Sequence, residues 1–201
     1  ALDVMPILTI DLGTDLVPAL ALGSEPPEPG IMDKPPRNLN EHVITRSLLL
    51  RSYLWLGPIQ SLAVLSAFFY QYWTNGYWGR FFDLPAEGPL YHSAVGMALA
   101  AVVTTQIGNV LAHRTERSSI FKVGFFTNKM VWAGIASELI IILIVLYVPL
   151  FQEIIGTAPF PVENWLFLFA WAPVLLLAEE LRKGVIRMIE QRKEVIHHQE
   201  G

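Results

Sequence analysis

Cysteine is absent from the 201 residues, which excludes disulfides and thiolate metal ligands without identifying a compartment. Charge is scarce too: Asp, Glu, Lys and Arg make up 16% of the chain, and the formal net charge is −4. With no basic excess to neutralise phosphates, a nucleic-acid partner is excluded. No internal repeat or low-complexity tract is evident. No secretory leader is recognisable either: the chain opens on Ala1, and Asp3 and Pro6 stand where a basic region would, so it is expected to be an internal piece of a longer protein. What is abundant is apolar side chain, at 53%, with a mean hydropathy of +0.42. These values point to a polytopic membrane protein rather than a soluble globule.

About 20 mainly apolar residues are needed to cross a bilayer. Five segments meet this requirement, near 4–22, 51–73, 91–112, 130–150 and 164–186, and the expected fold class is an all-α bundle of transmembrane helices. Residues 52–79 and 91–112 contain no Asp, Glu, Lys or Arg, the fourth segment holds the single acid Glu138, and the fifth is apolar until Glu179 and Glu180. Connections are expected over 23–50 and 113–129, with a tail over 187–201. The first connection is rich in proline from Pro26 to Pro36 and cannot stay helical for long, while Asn40 or Thr45 is placed to cap the next helix.

The first segment carries the strongest chemical signal, two carboxylates inside the apolar run from Ile10 to Leu22. An ionised aspartate at the centre of a spanning helix costs about 2.5–3.5 kcal/mol, so two of them call for a cation, a proton or polar partners. Asp11, Thr14 and Asp15 stand at i, i+3 and i+4, which places three oxygen-bearing side chains on one helical face. Pro18 has no N–H for the carbonyl of Thr14, and Gly13 relaxes the backbone between the acids, so a locally unwound turn is expected. Oxygen donors of these kinds suit alkali or alkaline-earth cations. The competing reading is a short soluble helix with two exposed acids. His42, His92, His113, His197 and His198 show no mutual metal-ligand spacing.

Thirteen of the 14 basic residues fall on one side of the five spans, Arg80 being the exception. The positive-inside rule makes that side cytoplasmic and puts the C-terminus there. Tyr70, Tyr72, Trp73, Tyr77, Trp78 and Trp165 gather at the opposite boundary, where they are expected to anchor the bundle in the lipid interface.

The run Ile10-Asp11-Leu12-Gly13-Thr14-Asp15 with Pro18, continuing to Ile31-Met32-Asp33-Lys34-Pro35-Pro36-Arg37, resembles the sixth membrane helix of type II P-type cation pumps and the loop after it. This group contains the sodium/potassium, proton/potassium and calcium ATPases. Downstream, Gln106-Ile107-Gly108-Asn109 and Arg114 to Phe121 resemble the eighth span and its exit. Gly124 to Lys129 resembles the approach to the ninth span, and Glu179 to Lys183 the end of the tenth. The resemblance covers essentially the whole chain and makes its five spans the sixth to tenth of a pump. It implies that Asp11 and Asp15 are cation ligands, with Thr14 adding a hydroxyl or backbone oxygen and Gln106 a further ligand. Asn109 stands where sodium and proton pumps tend to have aspartate, and Glu138 matches a glutamate that contributes to an additional sodium site. The simpler alternatives are interhelical hydrogen bonding for Gln106 and Asn109 and a neutral buried acid for Glu138.

The resemblance further implies a transported cation (sodium, potassium, calcium or proton), ATP and magnesium acting only in cytoplasmic domains outside this sequence, and an N-terminal remainder of the pump as partner within the lipid bilayer, most simply a plasma membrane. No Asp-Lys-Thr-Gly phosphorylation motif is present, so these residues alone are not expected to hydrolyse ATP. The proline-rich loop is expected either to couple membrane and cytoplasmic movements or to serve as a stiff connector. A secondary transporter or channel using the Asp pair as a proton or sodium site is the alternative; inverted repeats would favour it, and none is visible.

Overall fold

The computed structural model describes residues 4–27, 45–116 and 118–199. Among these the only regular secondary structure is helical, and five helical stretches are long and apolar enough to cross a membrane: Val4–Gly23, Arg46–Thr74, Pro89–His113, Lys129–Tyr147 and Asn164–Ile189. The proline-rich stretch from 28 on, together with Asn40 and His42, lies outside the described residues.

Proline positions explain most departures from straight helix. In the first span, α1 (Val4–Leu8) leads into a π-helical turn over Thr9–Thr14 before α2 (Leu16–Gly23). The amide of Asp15 donates to the carbonyl of Ile10, five residues back, three residues ahead of Pro18. This wide turn is the unwinding expected around Gly13. The second span repeats the device. Thr45 caps α3 (Arg46–Leu50) by accepting from the amide of Leu48 at 3.2 Å, a π-turn follows over Arg51–Leu56, and α4 (Gly57–Thr74) carries Pro58 in its first turn. The helix thus begins at Arg46, five residues before the expected start.

The third span is the single helix α5 (Pro89–His113) and is almost wholly buried. Alanine, valine and glycine dominate it, so neighbouring helices approach closely: a β-carbon on Gly108 would run into the carbonyl of Ala172, and one on Gly96 would stand 2.7 Å from the carbonyl of Ala158. It packs mainly against α4 and the fifth span, with the fourth and first spans along its remaining faces.

After the short α6 (Ile120–Val123) comes α7 (Lys129–Tyr147), which ends earlier than the expected 150 because Val148 precedes Pro149 and is extended, at φ −95° and ψ 119°. Pro149 opens α8 (Pro149–Ile155). The fifth span bends between α9 (Asn164–Phe169) and α10 (Trp171–Gln199), where Pro173 has no amide for the carbonyl of Phe169. The last helix runs on to Gln199, into the segment assigned to a tail after 186.

Two of the aromatic residues assigned to lipid anchoring have other roles. Tyr72 is fully buried and donates its hydroxyl to the carbonyl of Pro85 at 2.5 Å, and Tyr70 stacks on Phe167 with centroids 4.5 Å apart. Aromatic rings at a span boundary serve helix packing as readily as lipid contact. Beneath them, Asn164 donates to Gln71 at 2.8 Å, Gln71 donates to Ser93 at 2.8 Å, and Ser93 donates to the carbonyl of Pro159 at 3.0 Å. This buried chain joins the second, third and fifth spans with its donors and acceptors matched.

Candidate cation site

The first and fourth spans touch where small residue meets ring. A β-carbon on Gly134 would lie 3.0 Å from Pro18 Cα and 3.2 Å from Pro18 N. Glu138 stands one turn further along α7 on the same face, so the absence of a side chain at 134 lets Glu138 approach the first span. Glu138 is 1% exposed and close enough to Asp15 for the two charges to interact.

From the third span, Gln106 Nε2 donates to Asp15 Oδ1 at 2.5 Å. Asn109 follows one turn later on the same face of α5. Thr14 is buried and donates its hydroxyl to the carbonyl of Ile10 at 2.9 Å; the 3.4 Å approach of the same oxygen to Asp15 is the weaker contact, since one hydroxyl has one proton to give. Its lone pairs stay available to a cation. Along this segment Asp11 is exposed, while Thr14 is buried and Asp15 half-buried. The π-turn between Thr9 and Thr14 alters the helical phase on which i, i+4 neighbours meet.

Three predicted residues stand out by what they lack. Gln106 Oε1, Asn109 Oδ1 and both carboxylate oxygens of Glu138 are buried with no hydrogen-bond partner. Among the described residues the only other side-chain atoms in that condition are two nitrogens of Arg51, whose guanidinium nonetheless faces the Glu179 carboxylate at 2.6 Å. Leaving a buried polar group unmatched costs about 1–3 kcal/mol, so unmatched oxygens on the third and fourth spans, with Gln106 also bonded to Asp15, are an arrangement suited to receiving a cation or a proton. All its donors are oxygen, from carboxylate, amide and hydroxyl groups, the set that hard cations prefer. Among the described residues no three of His, Asp and Glu converge.

A second cluster, where the first and third spans end, was missed in the sequence, where Arg114 counted as a topological charge and as part of the resemblance to a span exit. Arg114 is 5% exposed; its Nε and Nη2 donate to the Glu25 carboxylate at 2.7–3.1 Å, its Nη1 to the carbonyls of Gly124 and Phe125 at 2.9 Å each, and its Nη2 also to the Thr127 hydroxyl. Asn128 donates to the same carboxylate at 2.7 Å. Glu25 loses solvation by partial burial, but the hydrogen bonds from Arg114 and Asn128 outweigh that loss and hold its carboxyl below the usual glutamate range. On the far side, Lys183 is buried and donates to the carbonyl of Ala112 at 2.7 Å, to Thr115 at 2.9 Å and to Glu180 at 3.1 Å, fixing the fifth span to the end of the third.

Known proteins carry the same sequence pattern. The potassium-transporting ATPase alpha chain 2 of Rattus norvegicus is 29% identical over 206 residues, covering 90% of this chain and 20% of its own length. A calcium-transporting ATPase of Plasmodium falciparum is 26% identical over 218 residues, covering 93% and 18%. The sodium/potassium-transporting ATPase subunit alpha-4 of Rattus norvegicus is 27% identical over 210 residues, covering 92% and 20%. The chain therefore spans about a fifth of the length of these relatives. Residues 1–185 match the family described as "Cation transporting ATPase, C-terminus", and the chain belongs to that family.

Proposed function

We propose that this chain forms the sixth to tenth spans of an ATP-driven cation pump and supplies one wall of its cation-binding and translocation site. The observation that carries this reading is that Gln106, Asn109 and Glu138 all bury side-chain oxygens without a partner, while Gln106 holds Asp15 at 2.5 Å. Asp15, Glu138, Gln106 and Asn109 bind the transported cation directly, with Thr14 contributing its hydroxyl oxygen. Asp11, exposed on the first span, faces the N-terminal part of the pump and completes the site with ligands from there. Amides at 106 and 109 carry less negative charge than carboxylates would, which favours a monovalent cargo.

The chain contains no Asp-Lys-Thr-Gly sequence, and its share of the cycle is to bind, orient and release the cation. ATP and magnesium act in cytoplasmic domains of the N-terminal remainder. Two carboxylates close together in a low-dielectric bundle link cation binding to proton release, because a cation and a proton neutralise the same negative charge. The pump sits in the plasma membrane with its C-terminus in the cytoplasm, an orientation supported by the distribution of basic residues.

The test is cation-stimulated phosphorylation of the intact pump. Asp15→Asn keeps the shape and removes the charge, and is expected to weaken the cation dependence sharply. Unchanged cation dependence in a well-folded variant removes Asp15 from the site, and a full-length protein that transports without forming a phosphoenzyme favours the secondary-transporter reading.

A further inference from the structure

The first span is held to the third at two levels. Deep in the bundle Asp15 meets Gln106, and at the end of the helices Glu25 meets Arg114. Both spans run in the same direction, so the two contacts form the rungs of one frame, with the eight residues of α2 as the rod between Asp15 and Glu25. At 1.5 Å per residue that rod is about 12 Å long, short enough for one end to set the rotation of the other.

Above Asp15 the helix is the π-turn over Thr9–Thr14, whose i→i−5 bonding fixes the phase of the span less firmly than α-helix does. Near its upper end the rod rests on the fourth span through Pro18 and Gly134, and lower down Ala21 and Leu22 pack with Val131 and Ile135 of that span. The direction in which Asp15 points is therefore set in part from the lower end, where the rod is held by charge as well as by packing. There the guanidinium of Arg114 grips the Glu25 carboxylate through two nitrogens and is itself immobilised by the carbonyls of Gly124 and Phe125 and by the Thr127 hydroxyl. Asn128, at the start of α7, donates to the same carboxylate, so the clamp also fixes the helix that carries Glu138.

We infer that Arg114 is a positioning residue for the cation site, acting through Glu25 and the α2 rod to hold the Asp15 carboxylate against Gln106 and beside Glu138. It touches no cation. The inference rests on the reading of Asp15 as a ligand, and it adds that affinity for the cargo is set in part from the end of the bundle.

The test uses the full-length pump in membranes and measures how phosphorylation depends on cation concentration. Arg114→Gln and, separately, the near-isosteric Glu25→Gln are each expected to raise the half-saturating cation concentration about tenfold while leaving the phosphoenzyme level at saturating cation close to the parent's, in line with coupling between linked sites. In a Gln106→Ala background, where the upper rung is already gone, the same substitutions are expected to have much less effect. A half-saturating concentration that stays unchanged, a loss confined to the amount of folded protein, or effects that simply add to that of Gln106→Ala all overturn the inference. If Arg114→Gln fails to fold, Glu25→Gln decides. Asp15→Asn, measured alongside, separates the two claims: if it leaves cation dependence intact the site itself is wrong, whereas if it weakens cation dependence and both clamp variants do not, only the positioning role falls.

Discussion

Gly134 lies so close to Pro18 that a β-carbon on it would stand 3.0 Å from the proline Cα, and this one contact sets the separation of the first and fourth spans beside Asp15 and Glu138. Gly134→Ala is expected to push the two spans apart by a few tenths of an ångström and to destabilise the protein by about 1–3 kcal/mol, the usual cost of overpacking. Thermal unfolding of the purified protein measures this, and Gly134→Val is expected to cost more.

Glu138 combines near-complete burial with two unpartnered oxygens, so its removal is expected to split stability from function. Glu138→Leu replaces an unmatched polar group by an apolar one of similar size and is expected to stabilise the fold by about 1–3 kcal/mol while weakening cation-stimulated phosphorylation. A merely structural acid would leave the cation dependence where it was. Melting temperature and half-saturating cation concentration, taken on one preparation, distinguish the two.

Gln106→Glu sets a second carboxylate at hydrogen-bonding distance from Asp15. Two like charges there tolerate each other only with a proton or a cation of higher charge between them. The variant is expected to lose affinity for monovalent cations and to gain response to divalent ones, read from phosphorylation with each ion as the sole activator.

The Glu25–Arg114 clamp has a defined pH dependence. Burial alone would raise the glutamate, but the hydrogen bonds from Arg114 and Asn128 prevail and lower it in the folded protein. The clamp therefore contributes its full stability above the ordinary glutamate value of about 4.3 and loses it as the pH falls from there through the lowered folded value. Denaturation midpoints measured between pH 7 and pH 3 are expected to fall less steeply in Glu25→Gln than in the parent, which alone has this proton to take up.

Asn164→Leu serves as the contrasting structural case. It removes the donor to Gln71 Oε1 and leaves that buried oxygen unmatched, at an expected cost of about 1–3 kcal/mol, with no change in half-saturating cation concentration because the chain of Gln71, Ser93 and Asn164 holds helices together away from the candidate site.

Composition and hydropathy alone were enough to set the helical class and the number of spans, because a bilayer admits only segments that satisfy their own backbone and bury about 20 apolar residues. Boundaries were less legible: the second span begins at Arg46, five residues before its expected start, with Thr45, one of the two cap candidates, as its cap, and the fourth stops at Tyr147 because Val148 precedes Pro149. The two aspartates were visible, since charge in an apolar run needs a reason. Spacing on one ideal helix could not register that the turn ahead of Pro18 is π-helical, nor that Asp11 is exposed where Thr14 is buried. The aromatic belt misjudged Tyr70 and Tyr72, because a boundary position does not say whether a ring faces lipid or a neighbouring helix.

The resemblance already grouped Gln106 with Asp15, but only tertiary structure decided that the two meet in a hydrogen bond and which charges brace the span that carries Asp15. Gln106 lies 91 residues from Asp15 along the chain and Arg114 lies 89 from Glu25, and nothing local to either partner reports the other. Both pairings follow from how the helices pack together, as do the close approaches at Gly134 to Pro18 and at Gly108 to Ala172, where a missing side chain shows its effect only when a second helix lies against it.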